Sequence, residues 1–181
     1  MLSKYVSAAI AVLALPAATI AGQSSTLKTR QSDSYCPGFE VTDAERLEIF
    51  NGMNELLFHA ANSDDASAVE DAFATFYSPD LIEHTAASDS YASDVKFLSA
   101  LLPGTTVELV GGLSGCFKNT KGQPICTIHY KATPDSSDSL IPAVTAISDF
   151  YRYEGSCIVE HWDTTYVKGD TTTNADFPGS A

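Results

Sequence analysis

Four long β-rich segments fill the second half of the chain: Thr105 to Phe117, Pro124 to Thr133, Ile141 to Tyr153 and Cys157 to Lys168. Turn signals at Asn119–Gly122, Pro134–Ser139 and Glu154-Gly155 separate them. Segments joined so briefly pair antiparallel. The first half reads as helix. Thr42-Asp-Ala-Glu45 is a capping box, and Leu47, Phe50, Leu57 and Phe58 then recur at helical spacing, which predicts a helix from Asp43 to about Ala61. Asn62-Ser-Asp-Asp65 breaks it and caps a second helix, about Ala66 to Phe76, with Val69, Phe73 and Phe76 on one stripe. Ser78-Pro79-Asp80 ends that helix, and Leu81 to Thr85 is a short extended piece. A third helix from about Tyr91 to Leu102 stops at Pro103-Gly104. Helices first and antiparallel strands after them make an α+β fold. A curved sheet wrapped around two or three helices leaves a cavity at its open end, where a ligand is expected.

The first 21 residues stand apart. Lys4, the apolar run Val6 to Leu15, Pro16 and small residues up to Ala21 have the form of a secretory signal peptide. The run is too short to span a membrane, and no second one follows, so membrane insertion is not expected. Residues 22–41 read as a polar, flexible arm, 42–168 as the folded domain, and 169–181 as a loose tail. The whole chain of 181 residues carries a net charge of −13. Without Lys4, nine basic residues face 23 acidic ones, a net −14. Such a surface repels phosphates and anionic lipid, which argues against a nucleic-acid partner. Four cysteines behind an export signal suggest two disulfides. Cys116 and Cys126 flank the Asn119–Gly122 turn and can face each other across a hairpin, which leaves Cys36 with Cys157. Metal ligation is the rival reading of the four, against which stands the lack of any Cys-x-x-Cys spacing.

Asp149-Phe-Tyr-Arg-Tyr-Glu-Gly-Ser-Cys-Ile-Val-Glu-His-Trp-Asp163 resembles the closing hairpin of the SnoaL-like branch of the NTF2-like superfamily. Phe76-Tyr-Ser-Pro-Asp-Leu-Ile-Glu-His84 resembles the segment after that family's second helix, and Thr127-Ile-His129-Tyr falls on a strand where relatives often carry a histidine. The resemblance covers about Thr42 to Val167. It implies a cone-shaped α+β barrel, three N-terminal helices packed on a curved antiparallel sheet. It also implies work without cofactor or metal, and a possible homodimer through the open face of the sheet. In the family's polyketide cyclases, the aspartate matching Asp149 is the general acid/base. Thr85-Ala86 stands where the family usually has Asn-Pro.

Strand alternation sorts the hairpin. A two-residue turn puts Asp149, Tyr151, Glu160 and Trp162 on one face, and Phe150, His161 and Asp163 on the other. On that register Asp149 does not act with His161 or Asp163, whereas a three-residue loop would reverse the faces of the second strand. The expected catalytic set is Asp149 with His129 and His84, since a carboxyl in an apolar cavity and a histidine near neutrality both move protons. Trp162 and Tyr151 offer flat walls for a ring, and Glu160, Tyr77 and His59 are further candidate substrate contacts. Each also has a plainer structural reading: core aromatic, paired acid or solvent-facing histidine. No phosphate loop follows Gly111-Gly112, and no Gly-x-Ser-x-Gly elbow occurs. The leading expectation is a secreted, cofactor-independent cyclase, isomerase or dehydratase acting on a mostly apolar, carbonyl-bearing small molecule. The alternative is a secreted binder of a hydrophobic small molecule on the same fold.

Overall fold

The computed structural model describes residues 34–85, 88–141 and 143–167. The signal-peptide reading and the tail at 169–181 lie outside them, as does most of the arm.

Helix α1 (Asp43–Asn62) starts as its box dictates: the Thr42 hydroxyl accepts from the Glu45 amide at 3.2 Å, and the Thr42 amide donates to the Glu45 carboxylate at 2.7 Å. Helix α2 (Ser67–Phe76) runs directly into strand β1 (Tyr77–Glu83). Helix α3 (Tyr91–Leu101) opens on a second capping box, made by Ser90 and Ser93. Strands β2 (Thr105–Leu109), β3 (Gly115–Lys118), β4 (Pro124–Pro134), β5 (Thr145–Glu154) and β6 (Cys157–Val167) complete the chain. The sheet runs β1-β6-β5-β4-β2, with β3 also paired to β4. The helices bury Ile49, Phe50, Met53, Phe73 and Phe76 against Ile128, Tyr151, Tyr153 and Ile158 of its inner face. The protein is α+β as expected, with three helices on a six-stranded sheet.

Three details differ from the sequence expectation. The sheet is mixed, because β1 lies parallel to β6. The segment from Thr105 to Phe117 is two strands, not one: the chain turns at Gly111 and Gly112, the latter at φ +78°, a backbone region that suits glycine. Both pieces then pair with β4. The arm at 34–41 is tied down: Tyr35 donates its amide to the Thr75 carbonyl at 2.7 Å and stacks on Phe76, while Cys36 is disulfide-bonded to Cys157. The second disulfide joins Cys116 to Cys126 across the β3–β4 pair.

The β5–β6 hairpin carries the most consequential difference. Glu154 faces Cys157 and Tyr153 faces Ile158, but Arg152 then faces Glu160. Val159 is an extra residue, a β-bulge. Beyond it every side chain of β6 changes face relative to the regular ladder.

Candidate active site

A cavity of about 300 Å³ opens between α1, α3 and the inner face of the sheet. Its walls are apolar, built from Leu57, Phe58, Phe97, Leu98, Leu101, Val107, Ile141 and Ile147. Its polar residues are concentrated on Asn54, Tyr77, Asp94, Tyr130, Asp149, Tyr151, His161 and Asp163. No lysine or arginine lines it among the described residues.

The bulge at Val159 brings His161 into this cavity. Tyr151 now faces His161 and Asp149 faces Asp163 across the hairpin. The His161 ring stacks on Tyr151 with centroids 4.6 Å apart. Its Nε2 lies 3.7 Å from Asp149 Oδ1, an ion pair too long for a hydrogen bond. Its Nδ1 sits 3.0 and 2.9 Å from the two oxygens of Glu83. Glu83 reaches it because the parallel register of β1 on β6 places the two side by side. Asp149 and His161 are only 6% and 7% exposed. The Tyr151 hydroxyl donates to Asp149 Oδ2 at 3.1 Å.

Electrostatics follow from this packing. Burial disfavours the His161 cation, yet the carboxylates of Asp149 and Glu83 outweigh it and push the imidazole up to about 10. His161 is therefore an imidazolium at neutral pH. Burial and the Glu83 charge raise Asp94 to about 7. Burial and the Asp149 charge also raise Asp163. Burial first, then neighbouring carboxylates, hold Tyr77, Tyr130 and Tyr151 well above the usual phenol range, so all three remain proton-bearing donors.

Of the sequence candidates, Asp149, Tyr151 and Tyr77 line the cavity. The others do not. His129 alternates with buried Ile128 on β4, and its Nδ1 lies 2.6 Å from the Ser148 hydroxyl on the opposite face. His84 stacks flat on Trp162, centroids 5.1 Å apart, and its Nε2 is 2.9 Å from Glu160 Oε1. Glu160 also pairs with Arg152. Trp162 and Glu160 were placed beside Asp149 by regular alternation, and the bulge turns both away. His59 is exposed on α1 near Ser63 and Asp65. In their place stand His161, Asp163, Glu83, Asp94 and Tyr130. The adjacent β-formers Ile158 and Val159 left no trace of a bulge in sequence, and Asp94 was hidden in an ordinary first helical turn.

Three N-terminal helices packed on the sheet, with the Asp149–Asp163 hairpin at its middle, agree with the α+β architecture that the resemblance implied, apart from the parallel β1. The fold is α+β, three helices on a six-stranded mixed sheet. No protein-family model and no curated protein matches the chain. Solved structures similar to this chain include AclR, a candidate hydroxylase from Streptomyces galilaeus, at 18% identity and TM-score 0.46 over 70% of this chain and 82% of that one. An NTF2-like protein of unknown function from Mesorhizobium loti is similar at 17% and 0.45, over 72% and 100%. A candidate polyketide cyclase from Xanthomonas campestris is similar at 14% and 0.42, over 68% and 93%. At these identities no residue's role transfers from one protein to another.

Proposed function

We propose that the protein is a secreted, cofactor-independent isomerase or lyase that removes a proton next to the carbonyl of a mostly apolar small molecule. The observation that carries this reading is the buried Glu83–His161–Asp149 array beneath an apolar cavity. Glu83 orients the imidazolium and helps to hold its proton. Asp149, beside that cation, is the base. The substrate carbonyl takes hydrogen bonds from Tyr130 or His161, donors that stay protonated while negative charge develops on oxygen. The proton then returns from Asp149 to another carbon, to the alkoxide formed when the enolate carbon adds to a second carbonyl, or to a leaving oxygen, so no external reagent is consumed. Ring closure by aldol addition, double-bond migration and dehydration all begin with this step, and the SnoaL-like hairpin favours the first. The export signal and the two disulfides support action outside the cell.

2-Tetralone in D2O is a suitable probe, because it is apolar and has exchangeable protons beside its carbonyl. NMR should show its exchange accelerated by the protein and reduced at least about 100-fold in Asp149→Asn, with circular dichroism unchanged. Binding of tetralone without accelerated exchange would instead favour the second reading, a secreted carrier of hydrophobic small molecules.

A further inference from the structure

Three buried donors converge behind the cavity wall. One oxygen each of Glu83 and Asp94 and a ring nitrogen of His161 lie within 4.8 Å of one another. The Glu83 side chain is fully buried, and Asp94 is 3% exposed. Asp94 Oδ1 accepts the Ser88 hydroxyl at 3.0 Å, but Oδ2 is buried without any donor. Glu83 Oε1 also accepts the His84 and Thr85 amides at 3.0 and 3.2 Å, whereas Asp94 has no such amides among its partners, and Asp149 and Asp163, which line the same cavity, are acids too. A buried carboxylate oxygen without a partner, as Asp94 Oδ2 is, is costly in such a place.

We propose that Glu83, Asp94 and His161 bind one divalent transition-metal ion. One imidazole and two carboxylates are a donor set for Zn²⁺, Mn²⁺ or Fe²⁺, and the two carboxylates balance the ion's charge. All four cysteines are committed to disulfides, so no thiolate competes. The surroundings suit a metal histidine. With Nδ1 on the ion, Nε2–H points at the Asp149 carboxylate 3.7 Å away, the outer-shell carboxylate that ligating histidines usually have. Ser88 in turn holds the second oxygen of Asp94. Asp94 and His161 line the cavity, so the remaining coordination positions face the ligand space. The donors, all within 4.8 Å of one another, draw together on loading, since donors about 2.1 Å from a tetrahedral zinc ion stand roughly 3.4 Å apart. The ion would take the place of the Nδ1 proton, so the loaded site and the imidazolium form of His161 are alternative states of the chain, and metal binding does not depend on Asp149 turning substrate over.

The test is calorimetric titration of chelator-treated full chain with ZnCl2 and, separately, MnCl2, without substrate. One ion per chain is expected. Asp94→Asn and Glu83→Gln should each weaken binding at least about 10-fold, while the exposed-acid control Asp80→Asn retains it. Mn²⁺ added to wild type should broaden one histidine ring signal, that of His161, before the other three, which tests the site even if a variant misfolds. No saturable binding, equal binding in the two ligand variants, or equal broadening of all four rings would overturn the site. Retained metal binding alongside absent tetralone exchange would overturn the proposed reaction alone.

Discussion

Removing the His161 imidazole would leave Glu83 and Asp149 as buried carboxylates with no cation between them. Breaking a buried ion pair from one side costs about 3–5 kcal/mol, so His161→Gln should lose that much in urea unfolding at pH 6. The pH dependence has a definite sign. His161 titrates at about 10 when folded and near its ordinary 6.5 when unfolded. Its stabilisation is complete below pH 6.5 and is lost as pH rises to about 10. Asp94 moves from 3.8 unfolded to about 7 folded, so its contribution is present below 3.8 and lost as pH climbs through 7. Both slopes run the same way. With chelator present, the urea midpoint should fall steadily from pH 5 to pH 9. Asp94→Asn should flatten the part below pH 7, and His161→Gln the part above it. Tetralone exchange should fall as the pH approaches 10, where the imidazolium is spent. Such values were out of reach from sequence: Asp149 could be singled out by its apolar neighbours, but nothing in Tyr-Ala-Ser-Asp94 announces an inward-facing acid.

Elements were legible where local chemistry decides them. The capping box at Thr42, the Pro103-Gly104 stop and the Glu154-Gly155 turn all act within four residues, and each fixed its boundary closely. The β1–β6 parallel pairing and the Val159 bulge depend on partners from afar, so alternation alone put His161 on the wrong face. The hairpin turn shows how a local signal also serves a distant contact. Gly155 has φ +60°, and a Cβ there would collide with the Phe39 carbonyl. Ser156 meanwhile donates its hydroxyl to the Tyr35 carbonyl at 2.7 Å and accepts the Phe39 amide at 3.1 Å. Gly155→Ala should therefore cost more than the roughly 1 kcal/mol of an unfavourable backbone angle, and thermal unfolding should show it as a drop of several degrees.

For the molecule as a whole, the two disulfides do unequal work. Cys36–Cys157 closes a sequence separation of 121 residues, and Cys116–Cys126 one of 10. Loop entropy assigns them about 5 and about 3 kcal/mol respectively. Replacing the first pair with serine should lower the melting temperature more than replacing the second, measured by calorimetry under otherwise equal conditions. Both pairings were readable from cysteine count and one turn signal, because an even set and a hairpin leave few choices. Charge, by contrast, is divided in a way composition hides. The net −13 is an average over the chain, while Asp94, Asp149 and Asp163 of the cavity lining and the buried Glu83 gather about a single imidazolium.

The extra residue at Val159 also bears on how homologues are compared. Two proteins can share Val-Glu-His-Trp-Asp letter for letter and still offer their ligands opposite halves of it, acid and imidazole in one, indole and glutamate in the other. The informative quantity is a count, the number of residues from the turn glycine at 155 to the tryptophan at 162. An insertion or deletion of one residue there would exchange the chemistry of the wall while leaving the signature intact.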